Sequence, residues 1–251
     1  MSRFLRTAVA AVTVTVCLTA TTSCGSAKPA RPTQPPHSEP LTEADLRSLL
    51  PSGKTFRGYV ARPEEPRATA HPPSGTAGTA DHPPERSKLY PDAPPACEAL
   101  VDFELDHLLH RPTARVWSEI TPQFLVHTYS DYTKFHQLTL ASYSVEEAKA
   151  VMASLKGALP SCDAFSLYTL AFGDQTGSVT VGPWSAPKAG DDAVAYTWTI
   201  KGIPMDQTVP VTVVRTGGVI ASYSGAVRDD IPRQQHDRLR EFISGTGTTG
   251  D

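Results

Sequence analysis

Cys97 and Cys162 bracket the most clearly patterned part of this chain, and a covalent link between them would frame everything in between. A helical pattern opens on the first (ACEALVDFELDHLLH) and another ends just before the second (SVEEAKAVMASLKGALPSC). The chain has four cysteines, but Cys17 lies within an apolar N-terminal run and Cys24 stands just after it. Removal of that leader and modification of Cys24 leave Cys97 and Cys162 to pair. Outside the cytoplasm a lone pair of cysteines in a globular region normally forms a disulfide; two free buried thiols are the alternative. Closing so long a loop is worth roughly 4–5 kcal/mol through the entropy of the unfolded chain. No C-x-x-C spacing is present, so a redox role has no motif behind it.

The leader sets the compartment. Arg3 and Arg6 are its only charges, TAVAAVTVTVCLTA is its apolar core, and Thr21, Thr22 and Ser23 are small residues before Cys24. That order describes a secretory signal over residues 1–23. The apolar run is short of the about 20 residues a spanning helix needs. TTSCG resembles the lipobox of bacterial lipoproteins, with Thr21 where leucine is usual. The resemblance implies a lipidated Cys24 carrying acyl chains such as palmitate, anchored at the extracytoplasmic face of the cell membrane. Ordinary secretion is the alternative. Two acyl chains hold a protein stably where one does not.

Residues 24–40 form a Pro-rich tether with almost nothing to bury. Residues 42–50 (TEADLRSLL) predict a short helix, with Thr42 as N-cap, Asp45 three residues on, and Leu46, Leu49 and Leu50 on one side. Residues 55–60 suit a strand. Residues 61–96 are again rich in proline and carry SGTAGTA, and read as a disordered insertion within a domain spanning 41–243. The apolar stripe of the first helix needs that domain to pack on.

From Cys97 the pattern is regular. A helix is expected over 97–110, with Leu100, Val101, Leu105, Leu108 and Leu109 on one side. Strands follow at 114–120, 124–129 and 135–143. A helix over 144–159 has a Ser144/Glu147 capping box and an inward face of Ala148, Val151, Met152, Leu155 and Leu159. Further strands are expected at 165–172, 178–184, 193–200, 208–215 and 219–223. Gly217-Gly218 suits a tight hairpin between the last two. A last helix covers 232–243, and 244–251 is a flexible tail. Short links between successive strands imply a single-domain α+β fold, a twisted antiparallel sheet with helices packed on one face.

Several patterns suggest chemistry and are explained more simply. PSGKT at 51–55 lacks the earlier glycine of a phosphate loop and follows a helix, so Gly53 is a helix stop. Glu104, His107 and His110 recur every three residues, and His127 and His136 stand on sheet segments. An amphipathic helix accounts for the first three without a metal, and neither metal nor cofactor is expected. No G-x-S-x-G elbow accompanies the serines, which leaves a degenerate hydrolase as the least favoured reading and no catalytic residues to name. Asp191-Asp192 and Asp229-Asp230 sit at turns, and helix capping suits Asp230. With 23 basic and 26 acidic residues and no basic block, the chain has no nucleic-acid footprint.

Trp117, Trp184 and Trp198 fall on predicted strands, and Tyr143 and Tyr223 stand in S-Y-S contexts at strand ends, which suggests partial exposure. Indoles on a sheet either fill the core or line a cleft that stacks on a sugar or an aromatic ligand. These five are the candidate ligand-binding residues.

The helix running into Cys162 (ASYSVEEAKAVMASLKGALPSC), the GDDAVAYTWTI strand and the VTVVRTGGVIASYSG hairpin, after LTEADLRSLL, give the chain a family resemblance over residues 42–243. It is similar to small secreted lipoproteins of high-GC Gram-positive bacteria, themselves similar to the extracellular sensor domain of PknH-type receptor kinases. The resemblance implies an extracytoplasmic domain with helices on a twisted antiparallel sheet and a ligand-binding cleft. It also implies two disulfide braces, of which only Cys97–Cys162 can correspond here. With no kinase domain, signalling would need a partner. The expected function is a non-enzymatic sensor-like or ligand-binding domain. The alternative is a cell-envelope interaction module with a protein partner and no small ligand.

Overall fold

A computed structural model of the 251-residue chain describes residues 40–63, 93–104, 110–123, 136–169, 175–202 and 206–246. These all belong to one compact unit, Gln34–Asp251. The leader, Cys24, nearly all of the tether, most of the proline-rich insertion, Leu105, Leu108 and Leu109 of the helix expected over 97–110, the strand expected at 124–129, His107, His127 and most of the C-terminal tail lie outside the described residues.

One eight-stranded sheet carries the fold, with every neighbouring pair antiparallel. Its strands are β1 (Tyr59–Pro63), β2 (Ala114–Pro122), β3 (Gln137–Ser142), β4 (Ala164–Thr169), β5 (Gln175–Pro183), β6 (Asp192–Lys201), β7 (Gln207–Thr216) and β8 (Val219–Ser224). Their order across the sheet is β1-β2-β3-β8-β7-β6-β5-β4. The α+β expectation holds. β8 is inserted between β3 and β7, so the C-terminal hairpin forms the centre of the sheet.

Among the described residues four α-helices pack on it: α1 (Glu43–Leu49), α2 (Glu98–Glu104), α3 (Val145–Ala158) and α4 (Asp230–Ile243). Both predicted capping boxes form. The Asp45 N–H donates to Thr42 Oγ1 at 3.2 Å and the Thr42 N–H to Asp45 Oδ2 at 2.9 Å. At α3 the Glu147 N–H donates to Ser144 Oγ at 3.3 Å and the Ser144 N–H to Glu147 Oε2 at 3.1 Å. The Ser144 hydroxyl, which donates to Glu147 Oε2 at 2.7 Å, and the Ser144 N–H both favour the ionised carboxylate and hold the Glu147 pKa below its ordinary value.

The helices cover both faces of the sheet, which corrects the one-face expectation. Leu100, Val101, Val151, Met152 and Leu155 of α2 and α3 pack with Tyr196, Val213 and Ile220. Leu46 and Leu49 of α1 and Ile231 and Leu239 of α4 pack with Leu138, Leu140, Val214 and Ala221. Neighbouring residues such as Val213 and Val214 thus feed opposite cores, as alternation along a strand requires. The cause is readable in VTVV and VIASY: near-continuous apolar runs need burial on both sides, whereas a one-sided sheet alternates apolar with polar.

Several boundaries shift, and two of the shifts lie around β1. Ala61–Pro63, expected to open the disordered insertion, belong to β1, paired with β2 from Tyr59↔Pro122 to Pro63↔Ser118. Helix α1 ends at Leu50 and Pro51, so Gly53 is not its stop. With φ at +56°, Gly53 instead bridges Ala61 through paired backbone bonds of 2.9 and 2.8 Å.

Cys97 and Cys162 form the disulfide that the cysteine count predicted. Both are buried in the α2/α3 core, so the bond ties the turn Pro95–Cys97 before α2 to the exit from α3.

Candidate functional site

The five candidate aromatics do not converge. Tyr143 and Trp198 lie in the α2/α3 core, and Trp198 packs edge-on against Phe165 with ring centroids 5.4 Å apart. Tyr223 lies in the opposite core, beneath α4. Tyr143 and Tyr223 are each 0% exposed, against the partial exposure suggested by their S-Y-S contexts. The flanking serines misled because Ser142, one residue before Tyr143, is itself buried and accepts the Leu41 N–H at 2.7 Å. Trp117 is half-buried on β2 and belongs to neither core cluster.

Trp184 differs from the rest. It directly follows β5 and is 47% exposed, the one exposed large hydrophobic side chain among the described residues. Beside it β5, β6 and β7 align two rows of small side chains, Gly182–Thr197–Pro210 and Thr180–Thr199–Thr208. Alternation places these rows on the face opposite Val179, Tyr196 and Trp198, and therefore on the side of α1 and α4. The α1/α4 core stops short of them. Thr180 and Thr208 are exposed, and Thr197 and Thr199 are half-buried. Thr199 and Thr208 hydroxyls lie 3.0 Å apart. A Cβ on Gly182 would come within 2.6 Å of Thr197 Oγ1, so glycine keeps the row flat. An exposed indole beside two uncharged, hydroxyl-bearing rows can stack on an apolar ring face and exchange hydrogen bonds with hydroxyls. Sequence reading named Trp184 but missed the threonines. Their alternation in AYTWTI was visible, yet which side stays uncovered depends on where α4 ends up.

At one end of the sheet a second polar group assembles. The Arg228 guanidinium lies 5.6 Å from the centre of the Tyr59 ring, and His136 meets the same ring edge-on at 6.4 Å. Arg228 donates from Nε and Nη2 to the two Asp230 oxygens at 2.9 and 2.8 Å. Those bonds hold the Asp230 carboxyl below its ordinary pKa. The pairing replaces the capping role expected of Asp230: the N-cap of α4 is Asp229, and its side chain makes no capping bond. His136 is buried, and no group of three His, Cys, Asp or Glu side chains suited to a metal occurs among the described residues. The side chain of Glu104 lies outside them.

The other aspartate pair separates as its turn position implies. Asp192 pairs with Lys156 of α3, while Asp191 pairs with Arg215 of β7.

No protein-family model matches this chain, and no curated protein does. Among solved structures, the crystal structure of the extracellular domain of PknH from Mycobacterium tuberculosis is similar to it with a TM-score of 0.41 and 11% sequence identity, over 60% of this chain and 75% of that one. At that level neither ligand nor role transfers.

Proposed function

We propose that this chain is an extracytoplasmic lipoprotein, anchored through Cys24, whose domain binds a neutral hydroxyl-rich ligand of the cell envelope, such as an oligosaccharide, without chemical turnover. The observation that carries the reading is Trp184, exposed just past the end of β5, the strand that carries Gly182 and Thr180 of the two rows. Burying that indole under a sugar ring would recover hydrophobic area, and the hydroxyl rows would supply both donors and acceptors. The absence of charged side chains from the two rows favours an uncharged ligand. The basic leader and the Cys97–Cys162 link support the compartment, since disulfides persist outside the reducing cytoplasm.

The test is a thermal-shift screen against neutral cell-wall oligosaccharides, with lipids and charged fragments in parallel. A ligand bound by the native state alone raises the melting temperature. The expected result is a rise with an oligosaccharide that is lost in Trp184→Ala. A blank screen transfers the function to the interaction-module reading, in which the same surface meets an envelope protein.

A further inference from the structure

The inward side of α4 is not purely apolar. Between Ile231 and Leu239 it carries Gln235, which is 0% exposed, and Arg238, which is half-buried. Residues three apart on a helix are neighbours, so these two side chains share one patch. Tyr223 of β8, also 0% exposed, lies in the same core, close enough to Arg238 that the charge on one would be felt by the other. Tyr223 Oη, Gln235 Oε1 and Arg238 Nη1 are all shielded from solvent, and none has a hydrogen-bonding partner in the protein. Leaving such groups unsatisfied is costly, most of all for the charged one.

The chemistry of the missing partner can be read from the three atoms. Gln235 Nε2 donates to the Leu49 carbonyl at 3.1 Å. That bond fixes the amide, because turning it over would set Oε1 against another carbonyl oxygen. Gln235 Oε1 therefore needs a donor. Arg238 Nη1 is a donor in every protonation state and needs an acceptor. Tyr223 Oη serves as either. An anion would accept from Arg238 but has no hydrogen to give Gln235. A cation would face the guanidinium charge. A small neutral molecule that both donates and accepts satisfies all three, and a buried water typically makes about three such bonds.

We infer that one internal water bridges Tyr223 Oη, Gln235 Oε1 and Arg238 Nη1 and locks the C-terminal helix to the centre of the sheet. Gln235 extends the lock to the C-terminal end of α1 through Leu49.

The test is a high-resolution crystal structure of the full domain, with a second crystal soaked in bromide. The expected result is a water within roughly 2.7–3.2 Å of all three atoms and no anomalous bromide signal there. A bromide peak at that point would identify an anion site and overturn the inference, as would direct bonds among the three side chains with nothing between them. In solution, the melting-temperature losses of Tyr223→Phe and Arg238→Met should sum to more than the loss in the double variant. Strict additivity would contradict a shared bridge.

Discussion

Asp191 fastens the tip of the central hairpin through Arg215. The Arg215 guanidinium donates to Asp191 Oδ2 at 3.2 Å, and the Gly217 N–H donates to the same oxygen at 2.8 Å. Arg215 also donates to the Gly217 carbonyl at 3.0 Å, and the Asp191 N–H bonds the Arg215 carbonyl at 2.9 Å. The segment before β6 thereby clamps the turn between β7 and β8.

Gly190 makes this approach possible. Its φ is +76°, and a Cβ there would stand 2.4 Å from Val214 Cγ1 and 2.6 Å from the Arg215 carbonyl oxygen. Gly190→Ala should therefore cost about 2–4 kcal/mol, from left-handed backbone strain and overpacking together. Asp191→Ala, which removes bonds from a half-exposed carboxylate, should cost nearer 1 kcal/mol. Urea titration of the two variants checks both the sizes and their order.

Loss of the Cys97–Cys162 bond should be the larger effect. It closes a loop with a sequence separation of 65 residues, for which chain entropy gives about 4 kcal/mol. Replacing both cysteines by serine should lower the urea midpoint with a decrease in stability of that order. Intact-mass analysis under non-reducing conditions should find no free thiol at either position in the native protein.

The Asp230–Arg228 pair gives a defined acid response. The Asp230 pKa is lowered in the folded state, first by its hydrogen bonds to Arg228. Its contribution to stability is then fully present above the unfolded aspartate value of about 4 and is lost as pH falls through the lower folded value. Asp230→Asn should flatten the acid side of the stability curve in that window and leave the curve's shape near neutrality unchanged. Thermal melts from pH 2 to pH 7 measure it.

The parts of the fold that sequence announced were those governed by local rules. Thr42 with Asp45 and Ser144 with Glu147 fix helix starts through contacts three residues apart. Gly217, with φ at +56°, marks the hairpin. The cysteine pair followed from counting. What escaped was decided at long range. Two-sided coverage depends on α4 returning to the sheet beside α1, joined through Gln235 and Leu49. Tyr143 was misplaced because its neighbouring serines look like surface, whereas Ser142 is buried and Ser144 caps α3; Tyr223 stands between half-buried serines and is covered by α4. β1 was cut short because Arg62 and Pro63 resemble the proline-rich segment that follows, and only pairing with Glu119 and Ser118 makes them strand. Among the candidate ligand residues, Trp184 was visible, but its setting is made by three strands whose register no local pattern reveals.

Anchoring can be separated from folding. Cys24→Ala should leave the melting temperature of the mature domain unchanged while moving the protein from the membrane fraction to the soluble extracytoplasmic fraction. Retention of the variant in the membrane would remove the lipid from the account.

Binding at the Trp184 face is the central claim, and the three indole N–H signals of the protein test it most directly. In a proton–nitrogen correlation spectrum, a neutral envelope oligosaccharide should shift the Trp184 indole signal together with backbone signals of Thr180, Thr197, Thr199 and Thr208, and leave the buried Trp198 indole in place. Perturbation of Trp198 with Trp184 unmoved, or no perturbation at saturating oligosaccharide, would contradict it.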